Sequence, residues 1–99
     1  RGGAVAATVG VGRWVLHIPG CTSLKSKRMV VNSLRDRLRG EFEVSVAETD
    51  FQDKWQKAEL SVAFVTSDRK LADSLLSRVE DTVEDEARAR IIERETAFF

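Results

Sequence analysis

Ninety-nine residues, 42% of them hydrophobic and 32% charged, suit one domain with one core and a well-solvated surface. Lys plus Arg and Asp plus Glu each number 16, so the net charge is zero and a global basic attraction to nucleic acid or an anionic membrane is excluded. Cys21 is the single cysteine, which excludes an intrachain disulfide and fits a reducing, cytoplasmic compartment, and no apolar run is long enough to span a bilayer.

Residues 1–8 (RGGAVAAT) lack the pattern of a signal peptide and read as a flexible extension, leaving 9–99 as a single domain. Val9 to Ile18 alternates, with Trp14, Leu16 and Ile18 on one face and Arg13, Val15 and His17 on the other, which predicts a strand with one buried side. Pro19-Gly20 stops it. Ser23 is an N-cap candidate, and Leu24, Val31, Leu34 and Leu38 recur at helical spacing, so Leu24 to Arg39 is read as a helix closed by Gly40. Phe42, Val44 and Val46 alternate with polar and small residues as a second strand, and Ala58, Leu60, Val62 and Phe64 do so as a third. The polar stretch Thr49 to Gln56 is the hairpin between them. Ser67-Asp68 caps a second helix carrying Leu71, Leu75, Val79 and Val83, and Arg88 to Phe99 supplies a last strand of ambiguous register.

The order β-α-β-β-α-β predicts an α+β, ferredoxin-like fold: a four-stranded antiparallel sheet with two helices on one face. In that topology the start of the first helix, the hairpin after the second strand and the acidic end of the second helix (Glu84, Asp85, Glu86) converge at one end of the sheet. Charge is uneven there. Lys25, Lys27 and Arg28 occupy the first helical turn, where the dipole is already positive, so carboxylates or an external anion must compensate them.

Two motifs carry a family resemblance. His17-Ile18-Pro19-Gly20 followed by Ser23-Leu24-Lys25, Lys27-Arg28 and Val31 is one. Val44-Ser45-Val46-Ala47-Glu48 followed by Asp50, Gln52-Asp53, Trp55-Gln56 and Ala58-Glu59-Leu60 is the other. Together, over about Val9 to Val83, they resemble the bacterial YlxP-like family, a domain of unknown function. The resemblance implies a small cytoplasmic protein of ferredoxin-like fold. It also implies a role near RNA or the ribosome, because genes of such proteins often lie among those for translation and ribosome maturation. It supplies no catalytic residues. Gly12 departs from the pattern, which usually has a larger apolar residue there.

The resulting expectation is a non-enzymatic protein that binds ribosomal RNA or a ribosomal particle. Lys25, Lys27, Arg28 and Arg35 would hold phosphates, and Gln52 and Trp55 would shape the contact. The competing reading pairs those cations internally with Glu48, Asp50 and Asp53 as a structural charge cluster. The stripe Arg28, Asn32, Arg35, Arg39 either tracks a nucleic-acid backbone, is solvated, or pairs with Asp73, Glu80 and Glu84 of the second helix. Trp55 either stacks on a base or covers the end of the core or a subunit contact. The outer sheet face (Val11, Val15, Ala47, Ala63, Val65) lacks the stacking aromatics of an RNA-recognition motif, so a homodimer through this face is the alternative, with a small-anion regulatory domain as a third reading. His17 and Cys21 are too few for a metal site, and His17, Ser23 and Asp50 lack the oxyanion feature of a catalytic one. No cofactor is expected.

Overall fold

The structure, a computed structural model, describes residues 6–99. The elements are β1 (Thr8–His17), α1 (Leu24–Glu41), β2 (Ser45–Asp50), β3 (Lys57–Thr66), α2 (Arg69–Glu84) and β4 (Arg90–Phe98). The strands lie in the order β2-β3-β1-β4, with every neighbouring pair antiparallel. This is the ferredoxin-like arrangement. Of the proposed extension, residues 1–5 lie outside the described residues, and Thr8 already belongs to β1.

Periodicity explains the layers. Trp14, Leu16, Leu60 and Val62 face inward from the central strands and meet Val31, Leu34 and Leu38 of α1 and Ala72, Leu76, Val79 and Val83 of α2. Each of these Leu and Val side chains contributes about 1.5–3 kcal/mol on burial. Gly10 and Gly12 share the inward face, and each makes room for an aromatic ring. A Cβ on Gly12 would lie 2.3 Å from the Trp14 ring, and one on Gly10 2.5 Å from the Phe64 ring. The missing side chain at position 12 is thus filled by the indole of Trp14, which is fully buried and donates from Nε1 to Glu80 Oε1 at 2.8 Å.

Several boundaries differ from the sequence reading. α1 passes through Gly40 to Glu41 and ends on Phe42 in extended conformation, so Gly40 is not a left-handed C-cap. β2 begins at Ser45, and Phe42 and Val44 pack on the core ahead of it. β2 runs on to Asp50, which shortens the hairpin to residues 51–56. Val15, on the open face, is buried to 1% exposure although it stands apart from the core cluster. It sits between Glu59 and Glu93 on neighbouring strands, and Arg13, two residues along, draws on both carboxylates.

Two register irregularities fall toward the same end of the sheet. One lies in β4, where Val15 pairs with Glu93 but Leu16 with Ile91, leaving Ile92 out of register and exposed. The other lies in β2, where Thr49 is left between the pairs Glu48–Leu60 and Asp50–Glu59. A bulge re-aims the extra residue. Thr49 Oγ1 donates to Glu59 Oε2 at 2.6 Å and lies 2.7 Å from Ser61 Oγ. That hydroxyl first, and then Arg13, holds the Glu59 carboxyl below its ordinary range against the opposing effect of burial.

Candidate functional site

The hairpin end of the sheet is assembled by α1. Ser23 caps the helix in a reciprocal box: its Oγ accepts from the Ser26 backbone N–H at 3.0 Å, and Ser26 Oγ accepts from the Ser23 N–H at 3.2 Å. Lys27 then enters the interior, fully buried. Its ammonium donates to the carbonyl oxygens of Phe51 at 2.6 Å and Lys57 at 3.1 Å. It also lies 2.8 Å from Glu48 Oε2. The Glu48 contact is an ion pair off the line of a hydrogen bond, so this oxygen is neutralised without an aligned donor. The expectation that Lys27 holds an external phosphate is therefore corrected: its charge faces inward, and its position i+3 from Leu24 and i−4 from Val31 sets it on the apolar stripe. That phase was the signal available in the sequence.

The clamp holds an unusual turn. Phe51 has φ 62°, the left-handed region that non-glycine residues seldom enter. This costs roughly 1–2 kcal/mol, offset where Lys27 grips the Phe51 carbonyl and the Asp50 carboxylate accepts from the Phe51 N–H at 2.7 Å. The β1–α1 loop is stitched to the same hairpin. Gln56 Nε2 donates to the carbonyls of Pro19 at 3.3 Å and Cys21 at 3.2 Å, and the Ile18 N–H donates to the Gln56 carbonyl at 2.9 Å.

The remaining sequence candidates separate. Lys25 and Arg28 are exposed on the first turn of α1 and make no ion pair among the described residues. Arg35 is half-buried, with Nη2 donating to Asn32 Oδ1 at 3.1 Å. Arg39 donates to the Val46 carbonyl at 3.3 Å and Gln52 to the Glu48 carbonyl at 3.4 Å, so both blunt the free edge of β2. Asp50 and Asp53 make no ion pair among the described residues, and Glu48 is the one member of the expected acidic cluster that reaches a cation. The α2 carboxylates do not meet the α1 stripe. Glu80 and Glu84 engage Arg94, and Asp73 engages Arg69.

Trp55 is 54% exposed, so its ring does not close off the core. With His17, Phe51, Lys54, Gln56 and Lys57 it lines an open hollow of about 580 Å³. The Lys57 ammonium stands 4.2 Å from the Phe51 ring centre, a cation–π contact that fixes the charge without neutralising it. From the sequence, His17 is weighed only as a metal or catalytic residue, and Lys54 and Lys57 are not proposed as ligand contacts. The basic-aromatic pair Lys54-Trp55 inside a polar hairpin was the available hint. A neighbouring hollow of about 530 Å³ joins His17 and Pro19 to Glu84, Glu86, Arg88 and Arg90, which places the acidic end of α2 beside the β1–α1 turn as the topology predicted. There Arg88 grips Glu86, donating from Nε at 2.9 Å and Nη2 at 2.8 Å, and these bonds push the Glu86 carboxyl down to about 2. Among the described residues no three His, Cys, Asp or Glu side chains are grouped to hold a metal ion, and no helix is long and apolar enough to cross a membrane.

These features define a ferredoxin-like α+β domain with a lysine-clamped hairpin and an exposed aromatic–cationic hollow at one end of its sheet. The chain belongs to the family described as "Protein of unknown function (DUF503)", which it matches over residues 9–96. It is similar to the "Uncharacterized protein YlxP" of Bacillus subtilis (strain 168), at 39% identity over 57 residues, 58% of this chain and 62% of that protein. The matched segment thus spans less than two thirds of that relative's length. Among solved structures it is similar to the de novo designed protein Foldit4, with a TM-score of 0.54 at 14% identity over 93% of this chain and 96% of that one. It is also similar to the designed protein LFR1 1, described as having a ferredoxin fold, with a TM-score of 0.48 at 19% identity over 93% and 82%. Likeness at the identity of Foldit4 bears on the fold alone.

Proposed function

We propose that this domain is a non-enzymatic, cytoplasmic RNA-binding protein that takes a single-stranded segment, such as one offered by a ribosomal particle, at the hairpin end of its sheet. The observation that carries this reading is Trp55, 54% exposed at the tip of a rigidly held hairpin and set between Lys54 and Lys57. A large aromatic surface left in water beside uncompensated cations suits a base stacked on the ring with its phosphates on the lysines, and such stacking contributes about 1–3 kcal/mol per base. Lys25 and Arg28, exposed on the helix turn that Lys27 docks against the hairpin, extend the charge. With zero net charge, affinity must come from this local field. A contact using Lys25, Arg28 and Lys54 gives a salt slope of about −2.

Fluorescence anisotropy of a labelled single-stranded RNA at low and moderate salt tests the proposal. Trp55→Ala is expected to weaken binding about tenfold or more, and Lys25→Glu with Arg28→Glu to flatten the salt dependence. Wild-type binding in both variants would overturn it.

A second reading rests on the other half of the open face, where Val65 is 69% exposed and Val11, Ala47 and Ala63 line a shallow hollow. A homodimer through this face would cover them. Light scattering at micromolar concentration would show a dimer that Val65→Asp dissociates; a wild-type monomer removes this reading.

A further inference from the structure

The register of the sheet brings together three basic side chains far apart in sequence. His17 pairs with Lys57 on β3 and with Arg90 on β4, so Lys57, His17 and Arg90 form one row across three strands at the hairpin end of the sheet. Lys57, Arg90 and the adjacent Lys54 make no ion pair among the described residues, although carboxylates surround them. The carboxylates of the neighbouring strands and of α2 are committed elsewhere, and Asp50 and Asp53 of the hairpin make no ion pair among the described residues. Toward the sheet interior, Glu59 and Glu93 flank Val15, and both are drawn to Arg13, at 2.6 and 3.9 Å. On the α2 side, Glu86 is held by Arg88 at 2.8 Å and Glu84 by Arg94 at 3.4 Å. His17 lines both hollows of this end, with Lys54, Lys57 and Trp55 on one side and Arg90 on the other.

We propose that the row Lys57–His17–Arg90, with Lys54 at its rim, is a binding site for a phosphate group on the open face of the sheet. The inference rests on the reading above for the class of ligand, a nucleotide chain stacked on Trp55, and adds where the phosphate sits. Lys54 and Lys57 beside His17 in one hollow, and Arg90 beside His17 in the next, place charge-assisted donors on either side of the imidazole for the oxygens of a phosphate. No carboxylate stands in this row: the cross-strand neighbours of His17 are Lys57 on one side and Arg90 on the other.

The test uses the intact chain and the double variant Lys57→Gln/Arg90→Gln. Neither side chain makes an ion pair among the described residues, the Lys57 carbonyl that Lys27 grips is backbone and remains, and the one contact given up is that of the Lys57 ammonium with the Phe51 ring. The variant is expected to melt within about 5 °C of the wild type, the loss of one exposed cation–π contact. Inorganic phosphate is titrated while the His17 ring and hairpin amide resonances are followed. Two oligouridylates, identical except for a 5′-phosphate or a 5′-hydroxyl, are compared by anisotropy. In the wild type, phosphate shifts the His17 resonances, and in the double variant these shifts vanish and RNA affinity falls about tenfold, the worth of one charge-assisted hydrogen bond. A preference for the 5′-phosphate assigns the site to a chain end, and equal binding of the two RNAs assigns it to an internal phosphate. An unshifted His17, or RNA affinity unchanged in the double variant while Trp55→Ala abolishes it, overturns this site and leaves the stacking proposal standing. Phosphate binding at the row without any RNA binding has the opposite meaning. A double variant that melts well below the wild type overturns the site as well, because the row would then be structural; Lys54→Gln, on an exposed side chain, checks the phosphate response independently of folding.

Discussion

The two tryptophans stand in regions built on different logic. Around Trp14 everything follows from alternation: the ring lies inward between sheet and helices, fills the space over Gly12 and has its one donor satisfied by Glu80. Around Trp55 almost nothing follows from local pattern. The hairpin keeps its shape because a lysine from α1 crosses into the interior and takes two of its carbonyls, while one residue is held at positive φ. The first region is stable because each side chain is where its own segment places it. The second is held by a distant residue, and the tryptophan it displays is free to meet a ligand.

The largest expected effect comes from breaking the clamp. Lys27→Met removes the partner of Glu48 and leaves the Phe51 and Lys57 carbonyls without their donor. Loss of one member of a buried pair costs about 3 kcal/mol, which for a domain of this size lowers the melting temperature by roughly 10–20 °C. Thermal unfolding measures this, and Lys27→Met/Glu48→Leu should lose less than Lys27→Met alone. A melting temperature unchanged in Lys27→Met would mean the clamp contributes nothing.

Overfilling the Trp14 region comes next. Gly12→Val pushes a side chain into the indole and the Leu76 methyl, at a cost of about 1–3 kcal/mol. Near-UV circular dichroism should lose Trp14 intensity, and a silent substitution would contradict the packing described. The turn gives a smaller effect. Phe51→Gly should be about 1 kcal/mol more stable than Phe51→Ala in urea unfolding, because only glycine enters the left-handed region without penalty.

The smallest effect lies at Glu86, whose folded-state carboxyl titrates at about 2 through its bonds from Arg88. A depressed carboxyl stabilises the fold above its ordinary value near 4.5 and loses that contribution as the pH falls toward 2. Glu86→Gln should therefore be less stable than wild type at pH 7, by at most about 1 kcal/mol because Arg88 is half exposed. Stability curves of the two proteins should converge between about pH 4.5 and 2. Parallel curves would remove the Arg88 bond from the account.

The same contrast explains how far the sequence could be read. Element order, the fold and the buried faces were legible because Trp14, Leu16, Leu60 and Val62 repeat every second residue and Leu24, Val31, Leu34 and Leu38 repeat with the helix. The inward turn of Lys27 was legible only in its helical phase, which its charge argued against. Burial of Val15 and the row Lys57–His17–Arg90 depend on strand register, including a bulge in β4 that no local pattern announces. Charges spread over four segments share one end of the sheet, but which pairs form depends on side-chain reach: Glu48 meets Lys27, while Asp50 turns back to the Phe51 N–H.

The most direct measurement is amide chemical-shift mapping of the protein titrated with a short single-stranded RNA at low salt. Perturbations are expected to concentrate in residues 51–57 and at the start of α1, around Lys25 and Arg28, with the Trp55 indole resonance moving most. Shifts confined to the Val11, Ala63 and Val65 face, or none at all, would contradict it.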